Sequence, residues 1–581
     1  MQTIEANLRT WKPPRQKLGP EAALFGLGFL FSAMVVGLLV VVFWTTFQEG
    51  LPGFDSPLSL ANYKEAFLDT VTFRAALNSL LVGAGTVFVN TIFGVPIAWL
   101  IHRTNVPFKS FFMTLMFVGV AIPGFLQGIA WILLLSPQIG SINQFLRLWW
   151  SGGEGPLSVY NLPSIAFVQG LLLTPVMFLM MSAAFKAIDS QLEEAAETAG
   201  ATRLAVLRRI TAPLVMPAFA AAVIYNFMTA VSMFEIPALL GFPAGIHVLS
   251  TLLFYTVNTE VGTPQYGLAG VYGILLLVPT LIGLYFYHRL LRRSSGHAVV
   301  SGKGYRGKLL DLGRWKWVAV GFIAFFFSLN LFLPLLVLLW ISSVPYVQIP
   351  SARALASVSL EAYREAPGLL SGGQLGNTLF LVAAVAMGVL FFSTIISWMV
   401  VRTRMRGRFV LDTIAMLPHA TPSLAFAFAV VIASLSLARV VPIYGTLWMI
   451  VIAHMVAYIS YGTRSLNGAL VRIHPDLEDA VHICGGTRFT VLRKVILPIL
   501  GPDLFYCGLW VALLSFRELT MALFLQSPRN EVISVTIWNL WAANKPAAAA
   551  ALGVMTFGAV AIMVPLVFRA ASRYMYSLRS G

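Results

Sequence analysis

Apolar stretches longer than 18 residues recur along this 581-residue chain, each long enough to cross the roughly 30 Å of hydrocarbon in a bilayer. A chain built this way has few folds open to it. Water is absent from the membrane core, so a spanning segment must satisfy its peptide groups internally, as a helix does. We place spans at about 24–47, 76–101, 110–135, 162–184, 214–239 and 265–288, and a second group at about 317–342, 376–400, 410–436, 442–463, 503–525 and 547–568. Only 11% of the residues are charged and 58% are hydrophobic, against about a quarter charged in ordinary soluble chains. The expected fold is an all-α polytopic membrane protein with about 12 transmembrane helices. It divides into a basic tail at 1–23, a six-helix domain at 24–290, a basic linker at 291–316 and a second six-helix domain at 317–581. The polar, basic first residues precede an apolar run too long for a signal-peptide core, which predicts a retained first helix.

The net charge of +16 would suggest nucleic acid in a soluble protein. Here its distribution reports orientation instead, because no basic surface interleaved with aromatics is present and no nucleic acid is expected. About 30 of the 39 Lys and Arg residues fall on one side of the spans. That side holds Arg103, Lys109, Lys186, the cluster from Arg289 to Lys316, and the run Arg402, Arg404, Arg406 and Arg408. The bias predicts that both termini are cytoplasmic. Cys484 and Cys507 are read as unpaired thiols.

The two groups of spans are a direct repeat. Asn78-Ser79-Leu80 opens a span that reaches Arg103-Thr104, and Asn377-Thr378-Leu379 opens one that reaches Arg402-Thr403, an offset of 299 at both ends. Pro123 and Pro422 in the next spans keep that offset and could shape a bend. The offset then becomes 285, pairing LEEAAETAGATRLAVLRRITAPLVMP at 192–217 with LEDAVHICGGTRFTVLRKVILPILGP at 477–502. The match lies in charged, extramembranous sequence, where chance similarity between membrane proteins is lowest. Six spans per half leave the two halves parallel.

Each repeated module predicts a short acidic helix, a bend and a basic stretch entering a span. Ser190 to Glu193 has capping-box spacing, and Glu193, Glu194 and Glu197 suit the first turns. In the second copy Pro475 can sit in the first turn, ahead of Asp476, Glu478 and Asp479. Gly200 and Gly485 interrupt the helices, and Pro213 and Pro498 mark entry to the next spans. Acidic helix starts and basic span ends are ordinary one at a time. Their recurrence as one unit in both halves is not.

The module resembles the EAA loop of the membrane subunits of bacterial ABC importers: E-A-A, three residues, G, nine residues, then I-x-L-P. Glu194, Ala195, Ala196, Gly200, Ile210 and Pro213 fit it, with Ala212 for leucine. Asp479, Ala480, Gly485, Val495, Leu497 and Pro498 fit the second copy, with Asp479 for glutamate and Val481 for alanine. The overall pattern resembles the fused permeases of the ferric-iron, thiamine and phosphonate group. The resemblance implies a transmembrane pore subunit in the bacterial inner membrane. It would serve a periplasmic solute-binding protein and a dimeric ATP-binding subunit, whose two grooves receive the two loops. On that reading Glu193, Glu194, Ala195, Ala196, Gly200 and Pro213, with Glu478, Asp479, Ala480, Gly485 and Pro498, couple the pore to the ATPase.

No Walker A sequence is found and the linker is too short for a nucleotide-binding domain. The chain is therefore expected to be no enzyme and to bind no cofactor of its own, ATP and Mg being used by the partner. The histidines form no cluster, and no metal site is expected. Charges within spans usually face a bundle interior or an aqueous path, which makes Glu235, Glu518, Arg517 and His419 candidates for pore or gate, with structural pairing as the other reading. Asn90 and Asn226 suit hydrogen bonds between helices. The resemblance points to ferric iron as substrate, and thiamine, 2-aminoethylphosphonate, polyamine and sulfate stay open. An ion-coupled secondary transporter with parallel halves shares the topology but leaves the two EAA-like modules unexplained.

Overall fold

The computed structural model describes residues 20–580 apart from 51–56, 148, 150–154, 189, 260–261, 295–308, 371 and 404. Most of the expected basic tail and half of the linker lie outside the described residues. Among those residues nine helices are long and apolar enough to cross a membrane, or up to twelve if three sharply bent helix pairs each count as one span. The expected tenth span forms as the helix Leu447–Val471.

The bends have local causes. Lys109–Ala121 and Gly124–Leu135 meet at 96°. Ile122, held in extended geometry (φ −72°, ψ 130°), precedes Pro123, whose ring disfavours helix at the residue before it. Ser423–Ser436 likewise starts directly after Pro422. The fifth span was expected to run to about 239, but its helix stops at Ser232. Pro237 is compatible with the break, since in a continuous helix its ring would clash with the carbonyl of Met233. It is not required, because the second-half helix stops at the equivalent Arg517 with Ala522 in the place of proline. The segment that follows, expected as a loop, is a helical hairpin: Glu235–Ala244 and Leu249–Val257 turn on each other by 81°. The second half repeats it in shorter form as Thr520–Phe524 and Ile533–Ala542.

Two compact units are present, and they do not follow the two halves of the sequence. The smaller comprises residues 1–37, 384–419 and 455–512, and the larger the remainder. In the smaller unit the first span of the chain packs on the second half: Phe31 stacks on Phe392 at 4.3 Å and Phe25 lies 5.4 Å from Trp398. In the larger unit the first span of the second half packs on the first half, with Phe322 and Phe326 lying 5.8 and 5.4 Å from Phe93. Phe93 and Phe392 are equivalent at offset 299, so the two halves exchange their first spans.

Close helix contacts rest on small residues, as expected where lipid supplies no hydrophobic drive between helices. In the first half a Cβ on Gly94 would stand 2.8 Å from Met177, and one on Gly170 would stand 2.5 Å from Val89. At the equivalent crossings of the second half Gly462 faces Ser393 and Gly388 faces Met455. The glycine has changed helices at both crossings. Each crossing keeps one glycine against a side chain of the facing helix, although the residue it faces changes.

Candidate functional site

The repeated charged module forms the same backbone in both halves. The first copy is the helix Ser190–Thr198, then Gly200 at φ +86°, then a helical turn from Arg203. The second is Asp476–Ile483, Gly485 at φ +79°, and a turn from Arg488. Each acidic helix closes with the same bond: Ala201 N–H donates to the Ala196 carbonyl at 2.9 Å, and Gly486 N–H to that of Val481 at 2.8 Å. This six-to-one closure requires a left-handed residue between donor and helix, a conformation that favours glycine. A Cβ on Gly200 or Gly485 would meet nothing within 4 Å, so the demand is conformational rather than steric. Thr202 and Thr487 then cap the basic turns, accepting from Ala205 and Thr490 at 3.3 and 3.2 Å.

Both basic stretches widen into a π turn, Leu207–Thr211 in one half and Leu492–Ile496 in the other. Pro213 and Pro498 follow at once. Each removes one N–H from the helical ladder, and the wider turn sits where that ladder is interrupted.

An ion pair ties each acidic helix to the end of the second span of its own half. Arg103 pairs with Glu193, which also accepts from the Thr211 hydroxyl at 2.6 Å. Arg402 Nε lies 3.0 Å from a Glu478 carboxylate oxygen. The N–H does not point along that line, so the contact is an ion pair without a directed hydrogen bond. The Arg402 guanidinium also donates to the carbonyls of Leu470 and Ile473 at 2.7 and 2.5 Å. Burial pushes the Glu478 carboxyl above its ordinary range, and the charges of Arg402 and His482 oppose that rise. In the sequence Arg103 and Arg402 mark orientation and the ends of the repeated span, not a partner. Their shared offset of 299, beside carboxylates sharing 285, was the signal for the pairs.

The other residues singled out in the modules are more open. Glu194 and Ala196 are half-buried, and Ala195, Pro213, Asp479, Ala480 and Pro498 are exposed. On the second acidic helix Leu477 is 46% exposed and Ile483 is 86% exposed. The side chain of Ser190, the proposed cap, lies outside the described residues. Pro475 stands at the N-cap, one position before the helix.

Three of the four pore candidates meet in the larger unit. Glu235 begins a short helix, and the backbone amides of Phe125 and Leu519 are near its carboxylate. Its carboxylate rests against Gly124, at the positive start of the helix after Pro123, where a Cβ would come within 2.5 Å of it. Glu518 accepts the Met521 N–H at 3.0 Å and faces His454 Nε2 at 3.3 Å, and the other ring nitrogen of His454 is 2.9 Å from the Ser515 hydroxyl. Arg517 donates to the Val120 carbonyl of the other half. Rings from both halves surround this cluster: Phe234 lies 6.3 Å from Trp538 and Phe254 lies 5.9 Å from Phe524.

At offset 285 Glu235 corresponds to Thr520, and Glu518 to Met233. The two carboxylates are therefore inequivalent. His419 lies in the other unit, its ring 5.5 Å from Tyr461. His454 carried no sequence signal beyond being a polar residue in an apolar run. Asn90 and Asn226 bond to each other at 3.1 Å and join two helices. Among the described residues no group of three or more His, Cys, Asp or Glu side chains could hold a metal ion.

Comparison with known proteins bears on the chain as a whole. The family described as "Binding-protein-dependent transport system inner membrane component" matches twice, at residues 90–296 and 393–575. The ferric transport system permease protein FbpB of Actinobacillus pleuropneumoniae is 25% identical over 80% of this chain and 66% of its own length. The Fe(3+)-transport system permease protein FbpB 2 of Haemophilus influenzae is 22% identical over 76% of this chain and 79% of its own. The diacetylchitobiose uptake system permease protein NgcF of Streptomyces coelicolor is 23% identical, with 93% of its length matching 52% of this chain.

Proposed function

Since the chain belongs to the family of binding-protein-dependent transport system inner membrane components, we propose that it is the two-fold pore of an ABC importer that carries ferric iron. Membership makes it a permease that receives solute from a periplasmic binding protein and relies on a separate ATPase. The finer reading rests above all on one observation: the acidic helix, left-handed glycine, π turn and ion pair occur twice in one chain, at equivalent positions. Two grooves of an ATPase dimer would each take one acidic helix. Arg103–Glu193 and Arg402–Glu478 would pass movement of those helices to the second spans. The basic ends face the cytoplasm, where Lys and Arg are retained.

ATP then shifts the populations of inward-open and outward-open states and needs no covalent chemistry on this chain. Glu235, Glu518 and Arg517 would line the gate, with His454 holding Glu518. The ferric relatives favour iron as cargo. The tight ligands would belong to the binding protein.

The test is reconstitution of the full chain in liposomes with the ATPase and solute-binding proteins of the same organism. ATP hydrolysis should rise several-fold with a ferric-loaded binding protein and stay basal with the same protein unloaded. Stimulation by a thiamine-, phosphonate-, polyamine- or sulfate-loaded protein instead would replace iron as cargo. Uptake driven by an ion gradient with no associated ATPase would refute the importer reading itself.

A further inference from the structure

Beside the first joint, where the Arg103–Glu193 pair ties the acidic helix to the second span, the packing is incomplete. A cleft of about 500 Å³ is walled by Pro96, Trp99, Phe185, Leu207, Ala212 and Val215 among other, almost wholly apolar residues. Its volume lies within the roughly 300–1,000 Å³ typical of small-molecule sites. The same positions of the second half are Ile395, Trp398, Leu470, Leu492, Leu497 and Leu500, and they form closed core into which Leu24 and Phe25 of the first span also pack. In the first half proline stands for isoleucine, alanine for leucine and valine for leucine, and the space stays open.

Three exposed cations adjoin lining residues of the cleft in the chain. Lys186 follows Phe185 in the chain and Arg208 and Arg209 follow Leu207, and all three are exposed. On the other side the wall continues into exposed apolar surface at Leu214 and Met216, 47% and 54% accessible. An apolar slot opening between transmembrane helices, with three exposed cations next to its lining residues in the chain, matches one abundant molecule around a membrane protein. We propose that this cleft binds an anionic phospholipid, with an acyl chain in the slot and its phosphate at Lys186, Arg208 and Arg209. Basic pockets between spans take anionic headgroups by this combination of charge and burial. Thr211 lines the cleft and also holds Glu193, so the lipid would rest against the first joint. The binding claim stands apart from the transport reading and is tested without transport.

Native mass spectrometry of the full chain, delipidated in detergent and titrated with phosphatidylglycerol or phosphatidylcholine, reads it directly. Wild type should keep one phosphatidylglycerol per chain at lipid concentrations where phosphatidylcholine is washed away. The variant Ala212→Leu/Val215→Leu, which installs the residues of the second half, should weaken that binding at least tenfold. Lys186→Gln/Arg208→Gln/Arg209→Gln leaves the apolar wall untouched and should abolish the preference for the anionic lipid. Equal retention of both lipids by wild type, or unchanged retention by the filled variant, overturns the assignment. If the filled variant does not fold, the glutamine variant decides alone, and a preserved preference for the anionic lipid there also overturns it.

Discussion

In the first joint Glu193 is held by Arg103 and by the Thr211 hydroxyl, and the core beside it is open. In the second Glu478 has Arg402, Ile496 stands where Thr211 does, and the core is closed by Leu24 and Phe25. The backbones are nonetheless superposable in every feature that fixes chain direction: a glycine near φ +80°, the same helix-closing bond, a π turn, and proline at the span entrance. The contrast teaches that duplication has kept the mechanical frame and let its filling diverge. The helix crossings teach the same, since Gly94 against Met177 becomes Ser393 against Gly462.

The largest effect is expected where the joints are alike. Valine at Gly200 and Gly485 together would force a β-branched residue into left-handed geometry, at about 1–2 kcal/mol for each site. Binding-protein-stimulated ATP hydrolysis should fall at least tenfold while the chain still inserts. Asparagine, which tolerates that geometry, should keep most of it. If one glycine accounts for the whole loss, the two joints do not act as a pair.

A smaller effect should separate them. Arg402→Ala strands Glu478 and leaves the Leu470 and Ile473 carbonyls without this donor, whereas Arg103→Ala leaves Glu193 its bond from Thr211. Loss of a partly buried pair and its hydrogen bonds should cost about 2 kcal/mol at Arg402 and about 1 at Arg103, read as thermal stability in detergent. Equal losses would mean that the Thr211 bond is worth nothing. Ile496→Thr should narrow the gap, giving Glu478 the partner it lacks.

The smallest effect concerns pH. Burial raises the Glu478 carboxyl, so the folded chain holds that proton more tightly than the unfolded chain. The associated stability is full below the ordinary glutamate range and is lost as pH rises through the raised value. Glu478→Gln should flatten that part of the pH–stability curve. A slope unchanged by the substitution would assign it to other groups.

Much of this was legible in residue order alone. Span number and the parallel repeat follow from segment length and from charged sequence recurring at fixed offsets. Gly200, Gly485, Pro213 and Pro498 disclosed the bends because glycine and proline act on the backbone locally. Arg103 and Arg402 were less legible, since an arginine at a span end obeys the topology rule whether or not it has a partner. The hairpin after Ser232 was missed because 240–264 is too broken to read as a span.

What the sequence determined by itself was therefore local or periodic: membrane insertion, duplication, and where each helix starts, bends and stops. Only the tertiary structure decided which groups meet. It set Glu235 against the helix start at Gly124, placed His454 against Glu518, exchanged the first spans between halves, and left a cleft in one half where the other is filled. Those outcomes depend on complementary volumes and on polar groups seeking partners across hundreds of residues, and helix packing settles them only when both sides are in place.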